Sequence, residues 1–119
     1  MSEPTLDMTI LASLVETAGD EFVRSLIDDF IAESGEMIDV MHKALAVHDA
    51  ATLHRAAHTL KSSGGYLGVT ALTVRARDLE AISHGGSLAD ASLVSQLSGL
   101  DAEFELARAA LTAWQQSAS

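Results

Sequence analysis

Apolar residues in the last third of the chain recur at alternating steps of four and three. The series runs Leu93, Leu97, Leu100, Phe104, Ala107, Leu111 and Trp114. Side chains three and four residues apart lie on one face of an α-helix, so the pattern predicts a long amphipathic helix with one buried face over residues 88–116. Ser87 and Asp90 have the spacing of a capping box at the start of this helix.

The same apolar spacing, together with helix start and stop signals, predicts four earlier helices. Their expected ranges are 8–17, 20–46, 50–67 and 70–84. Residues suited to N-capping lie at the start of three of these ranges: Asp7, Asp49 and Thr70. Glycines that can end a helix follow three of them: Gly19, Gly68, and the pair Gly85 and Gly86.

Four amphipathic helices joined by short loops pack as antiparallel neighbours, so we predict an all-α fold. Its architecture is an up-down-up-down antiparallel four-helix bundle, formed by a single domain over residues 1–119. The helix over 8–17 is too short to be a full member, and we expect this extra N-terminal helix to cover one end. The composition agrees, because Ala and Leu supply much of the apolar content and aromatic residues make up only 4%.

Charge and composition exclude several classes of partner and site. A formal net charge of −10 argues against nucleic acid, whose binding depends on Lys and Arg neutralising phosphates. The chain has no Cys, which excludes disulfides and thiolate metal sites and favours a reducing compartment. It contains neither an apolar run of the roughly 20 residues that span a bilayer nor a signal-peptide pattern at its N-terminus. We therefore expect a soluble, cytoplasmic protein with no membrane partner.

The helix predicted over 50–67 carries the residues that point to chemistry. Its apolar or small positions define the core side, and His58 points nearly opposite, so we expect the imidazole to be accessible. Small residues follow it on the same face, including Ser62 and Gly65. Glycine inside a helix costs roughly 0.5 to 1 kcal/mol, so Gly64 and Gly65 together indicate that something bulky comes close. Lys61 adds a positive charge suited to phosphate oxygens.

The stretch "AAHTLKSSGGYLGVTALTVRARDLE", Ala56 to Glu80, resembles the signature of histidine-containing phosphotransfer (HPt) domains. The matching features are the histidine, a hydrophobe two residues on, a lysine three on, small residues, a glycine ten on and a later Leu-Glu pair. The similarity covers about residues 22 to 80. The C-terminal helix agrees only in length and periodicity.

The resemblance implies that His58 carries a phosphoryl group between receiver-domain aspartates in a multistep phosphorelay. The partners would be receiver domains of response regulators, of a hybrid histidine kinase, or of both. Lys61 would neutralise phosphate charge, and Glu80 would bind the other ring nitrogen of His58 and orient the imidazole. The chain would be a carrier and not an enzyme with its own ATP site, and transfer would be reversible. It would hold no cofactor or metal, since the family's Mg²⁺ is bound by the receiver.

We expect receivers to approach over the small residues of the third helix and exposed side chains of its neighbours. The candidate residues are Ser62, Gly65, Gly68, Arg77, Leu11, Leu14 and Phe22, of which the last three can instead belong to the core. Ser62 stands where many family members have glycine, and we expect it to tune transfer. A complete four-helix core needs no second chain, so we expect a monomer.

Other hypotheses compete with this one. An HPt-like bundle could bind receivers as an interaction module without phosphotransfer, in which case nothing requires Glu80 to orient the His58 ring. His54 and His58, four residues apart, could hold a metal on one helix face, although no third ligand is evident. A serine hydrolase built on Ser62 or Ser63 would lack the strand-to-helix elbow and oxyanion hole. The remaining histidines are interpreted as surface residues: His42, His48 and His84.

Overall fold

The computed structural model describes residues 3–84, 88 and 91–117, and all regular secondary structure among them is helical. The described helices are α1 (Met8–Ala18), α2 (Asp20–Ala46), α3 (Ala50–Leu67), α4 (Thr70–Ile82) and α5 (Leu93–Ser117). The all-α prediction is therefore confirmed.

Helices α2 to α5 form the bundle. Helix α3 packs between α2 and α4, and α5 packs against both α4 and α2, which closes a ring of four helices around one core. Fully buried leucines and other large apolar side chains from all four helices fill it, each burial being worth about 1.5 to 3 kcal/mol. They include Val23, Ile27, Met41, Leu53, Leu60, Leu72, Leu79, Leu97, Leu100 and Leu111. The predicted apolar faces thus meet in a single core.

The short helix α1 covers the end of the bundle at which α3 turns into α4. The Asp7 amide donates to the Gly68 carbonyl at 2.7 Å, and the Ala71 amide donates to the Pro4 carbonyl at 3.0 Å. A single residue, Gly19, separates α1 from α2 and has φ +95°, a backbone conformation that glycine adopts without steric cost. The segment before α2 is therefore tied to the turn that follows the His58 helix.

Among the described residues, side-chain capping occurs at two of the three predicted positions. Asp7 accepts from the Thr9 amide at 3.0 Å, and Asp49 accepts from the Thr52 amide at 3.1 Å. The predicted cap at Thr70 is wrong, as the next helix starts at that residue.

Val69 occupies the N-cap of α4 instead. Its carbonyl accepts the first helical hydrogen bond from the Thr73 amide at 3.0 Å, while its own amide is bound to the Gly64 carbonyl. No side chain caps this end, and the Thr70 hydroxyl donates back to the Gly68 carbonyl at 3.3 Å. The turn after α3 is so tight that α4 begins before Thr70 can act as a cap.

Helix α4 ends at Ile82, two residues before the predicted boundary. The buried hydroxyl of Ser83 donates to the Leu79 carbonyl at 2.7 Å and to the Glu80 carbonyl at 3.3 Å. Serine side chains bonded in this way satisfy carbonyls at a helix end. Ser83 therefore ends α4 before the glycine pair is reached.

Helix α5 begins at Leu93 and not at residue 88. The Ser92 carbonyl accepts from the Gln96 amide at 2.8 Å, which places Ser92 at the N-cap. The proposed capping box of Ser87 and Asp90 lies outside the described residues.

Candidate functional site

Gly64 determines how closely α3 and α4 approach. It is buried, and a Cβ at this position would lie 2.6 Å from Oγ1 of Thr73 and 3.1 Å from Cγ2 of Val69. The missing side chain therefore serves packing within the chain. The bulky neighbour that we expected close to Gly64 is α4 of the same chain. Because α3 and α4 are antiparallel, the contact between Gly64 and Thr73 brings Glu80 opposite His58.

The imidazole of His58 is oriented by Glu80. Its Nδ1 contacts Oε2 of the Glu80 carboxylate. An ionised carboxylate can only accept, so Nδ1 carries the proton and the neutral ring has its lone pair on Nε2. The His58 side chain is 59% exposed, whereas that of Glu80 is only 16% exposed. The largely buried carboxylate therefore fixes the tautomer of an imidazole that faces the solvent.

Lys61 binds the second oxygen of the same carboxylate. Its Nζ donates to Oε1 of Glu80 at 2.6 Å. This hydrogen bond first, and that from His58 second, lowers the pKa of Glu80 against the opposing effect of desolvation. Glu80 is thus a carboxylate at neutral pH and holds two side chains that lie one helical turn apart on α3.

His54 makes a third contact with Glu80, one that our sequence reasoning missed. Its Nδ1 donates to the main-chain carbonyl of Glu80 at 2.9 Å. The available signal was the spacing of four between His54 and His58, which puts both rings on one face of α3. The antiparallel register then places both of them next to the end of α4.

Three of the predicted approach residues are exposed: Ser62, Gly65 and Arg77. A Cβ at Gly65 would meet only Cγ2 of Thr73, at 4.0 Å, so the surface two turns beyond His58 is open. Arg77 is exposed on α4, and its guanidinium lies 3.5 Å from the carboxylate of Asp78. Ser62 and Gly65, with little or no side chain, therefore leave open surface beside the imidazole, and we call these two residues the floor of the site.

Two other predicted approach residues, Gly68 and Leu11, are buried and cannot face a partner. Gly68 has φ +79° at the C-cap of α3, and a Cβ there would lie 3.0 Å from Cβ of Ile10. Leu11 is 1% exposed inside the end of the bundle. Helix α1 packs over Gly68, so the approach role predicted for this glycine is wrong. Leu11 lies on the inner face of α1 and belongs to the core, which is the alternative left open for it. Leu14 is half-buried, while Phe22 is 52% exposed near the start of α2.

A mainly apolar groove of about 320 Å³ runs between α2 and α3 next to Ser62. Its lining consists of Leu26, Asp29, Phe30, Glu33, Ser62, Ser63, Tyr66 and Leu67. Tyr66, which is 56% exposed, was missed in the sequence, although it follows His58 by just over two helical turns. The groove extends the open surface beside His58 towards α2.

No three His, Asp or Glu side chains among residues 3–84, 88 and 91–117 are grouped as metal ligands. None of the helices in that part of the chain combines the length and apolar content that crossing a bilayer requires.

A family model described as the Hpt domain matches residues 25–116 of the chain. The chain belongs to the Hpt family. The match includes α5, for which the sequence resemblance was limited to length and periodicity. As an Hpt protein, the chain is a phosphotransfer carrier that acts in a phosphorelay with receiver domains as partners.

A solved structure supports the same assignment. The Hpt chain is similar to histidine-containing phosphotransfer protein B (HptB) from Pseudomonas aeruginosa PAO1, with 30% sequence identity and a TM-score of 0.89. The alignment covers 98% of each chain. No curated protein matches the sequence significantly. These findings support histidine phosphotransfer, and none of them favours the interaction-module alternative.

Proposed function

We propose that His58 is the residue of this Hpt domain that accepts the phosphoryl group from one receiver aspartate and passes it to another. The observation that carries this assignment is the contact of Nδ1 with Glu80 in an imidazole that remains 59% exposed. A module that only bound receivers would have no use for a carboxylate that selects the ring tautomer. The orientation leaves Nε2 as the nucleophilic atom.

The transfer step needs no proton movement. The Nε2 lone pair attacks the phosphorus of the aspartyl phosphate, an N–P bond forms, and the P–O bond to the aspartate breaks to leave its carboxylate. The ring becomes positively charged and keeps its proton on Nδ1, where the Glu80 carboxylate lies next to the charge. The reverse sequence returns the group to an aspartate, so the carrier works in both directions and requires no nucleotide site.

Lys61 supplies positive charge for the incoming phosphate. Phosphoryl transfer depends mainly on positioning and on neutralising the charge of the phosphate oxygens. The ammonium is bound to Glu80, one helical turn from His58. Rotation of the flexible lysine side chain would bring it to a phosphoryl group on the His58 ring. We place the required Mg²⁺ on the carboxylates of the receiver, and assign no metal or cofactor to the Hpt domain itself.

Receivers approach over the floor of Ser62 and Gly65, with Arg77 on one side. Phe22 and Leu14 are the remaining apolar candidates for contact outside this floor. The acidic chain, with a formal net charge of −10, acts as a monomer in the cytoplasm and does not bind nucleic acid. The complete four-helix core supports the monomer, and the lack of Cys suits a reducing compartment.

The test is phosphate uptake from a phosphorylated receiver in the presence of Mg²⁺. Wild-type protein should gain an acid-labile, base-stable phosphate, and His58→Gln should abolish it with helicity unchanged by circular dichroism. His42→Gln is the matched control, because His42 is another exposed histidine paired with a carboxylate, that of Asp101 at 2.9 Å. Undiminished labelling of the His58→Gln protein would refute the assignment.

A further inference from the structure

We propose that His54 is a positioning residue for phosphotransfer, acting through Glu80 on the ring of His58. The inference rests on the proposed role of His58 and adds a second histidine to the site. His54 does not carry phosphate in this proposal. It holds the main chain of the residue that orients the phosphate carrier.

The Glu80 carbonyl needs a partner from outside its own helix. Helix α4 ends at Ile82, so this carbonyl is among the last four, which accept no hydrogen bond from an amide within the helix. His54 Nδ1 donates to it at 2.9 Å, and the Ser83 hydroxyl adds a longer contact at 3.3 Å. A side chain that donates to the last carbonyls of a helix satisfies acceptors that the helix itself leaves without a donor.

Three side chains of α3 therefore converge on one residue of α4. His54 binds the main chain of Glu80, while His58 and Lys61 bind its two carboxylate oxygens. Helix ends fray, and Glu80 lies only two residues before the end of α4. A shift of its backbone would carry the carboxylate away from His58. The contact from His54 opposes that shift at the position where α4 is least constrained by its own hydrogen bonds.

By holding the main chain of Glu80, His54 narrows the range of orientations that the His58 ring adopts. A glutamate side chain has three rotatable bonds, so its carboxylate is well placed only when the main chain is held. At metal sites, removing a partner that orients a ligand typically costs about 10- to 100-fold in affinity or activity, and we use this range as a guide for an oriented imidazole. We expect His54 to act at the lower end of this range, since Lys61 still holds one oxygen of Glu80.

The test compares His54→Leu with His54→Asn in transfer from a phosphorylated receiver. Leucine cannot donate to the carbonyl, and the maximal transfer rate should fall roughly tenfold with the half-saturating receiver concentration unchanged. Asparagine carries an amide N–H near the position of Nδ1, and most of the rate should return. His42→Asn is the control, because it replaces a histidine that joins α2 to Asp101 of α5 and has no hydrogen bond to Glu80.

A spectroscopic measurement separates positioning from simple stabilisation. Long-range ¹H–¹⁵N correlations of the imidazoles report which nitrogen of neutral His58 is protonated. Wild type and His54→Asn should show the proton on Nδ1, while His54→Leu should show a mixture of the two tautomers. Where the leucine variant fails to fold, His54→Gln takes its place, because its longer side chain carries the amide past the carbonyl.

Either of two results would overturn the inference. One is a wild-type rate and a wild-type His58 tautomer in His54→Leu. The other is a slow rate that asparagine does not restore while the tautomer is unchanged, which would make His54 a structural cap alone. Failure of the proposed function is distinct, as it would appear as unlabelled wild type or labelled His58→Gln protein. The tautomer measurement tests the role of His54 even when the proposed function fails, because it does not depend on phosphate transfer.

Discussion

The ammonium of Lys61 donates to Oε1 of Glu80 at 2.6 Å, so its charge is already paired in the protein without phosphate. The other oxygen of that carboxylate contacts His58. Glu80 thus holds both the proposed nucleophile and the cation that would neutralise the transferred group. Substitutions at Glu80 and Lys61 should separate these two roles.

Glu80→Gln should slow transfer to His58 roughly tenfold without abolishing labelling. A neutral amide can still lie beside Nδ1, but it cannot balance the positive charge that develops on the ring. Rapid-quench measurement of transfer from a phosphorylated receiver gives the rate. Glu105→Gln is the matched control, because Glu105 is an exposed glutamate paired with Arg108 on α5. Equal rates for Glu80→Gln and wild type would contradict an orienting role.

Lys61→Ala should raise the pKa of Glu80 towards its ordinary value of 4.5, because the hydrogen bond from Lys61 is the largest cause of its lowering. A carboxyl whose pKa is lowered by folding stabilises the protein above the unfolded-state value and loses this contribution as pH falls through the folded-state value. The stability difference between wild type and Lys61→Ala should therefore shrink as pH falls below about 4.5.

Carboxyl ¹³C titration of Glu80 and urea unfolding at several pH values check this prediction. Lys43→Ala, which removes an exposed lysine from the last turn of α2, should leave the Glu80 titration unchanged. A stability difference that grows as pH falls would have the wrong sign for this mechanism.

Gly64→Ala should destabilise the fold by about 1 to 3 kcal/mol, the usual cost of overpacking. The new Cβ would be 2.6 Å from Oγ1 of Thr73, and that hydroxyl is bound to the Val69 carbonyl at 2.9 Å, so it cannot turn away freely. Gly65→Ala is the control at the next position. It meets open space and should stabilise the helix by up to about 1 kcal/mol. Urea unfolding measures both variants, and an equal effect would show that α3 and α4 do not pack as described.

Leu11→Ala and Phe22→Ala should have opposite consequences. Leu11 is 1% exposed, and its truncation should cost about 2 to 5 kcal/mol of unfolding free energy while the folded protein still transfers phosphate normally. Phe22 is 52% exposed, so its truncation should leave stability within about 0.5 kcal/mol and raise the half-saturating receiver concentration. Thermal unfolding and saturation of transfer by receiver measure the two effects. Unchanged saturation in Phe22→Ala would remove that residue from the docking surface.

The helices were predictable because their information is local. The alternating apolar steps of α5, the aspartate caps at Asp7 and Asp49, and the glycine stops all act within a few residues along the chain. The boundaries of α4 that were wrong also depend on local hydrogen bonds, but on bonds that compete with the expected cap or stop. Val69 displaces Thr70 as the cap of α4 through its bond to the Gly64 carbonyl, and Ser83 ends that helix by bonding back to Leu79.

The sequence by itself determined the helical order, the exposed face of α3 and the set of residues that resembles the Hpt signature. Only the tertiary structure decided what lies against each small residue: Gly64 meets Thr73, Gly68 meets Ile10, and Gly65 faces open space. It also decided that His54 meets the Glu80 carbonyl. The reason is that periodicity fixes how side chains are distributed around one helix, whereas contacts between helices depend on how closely and in what register they pack.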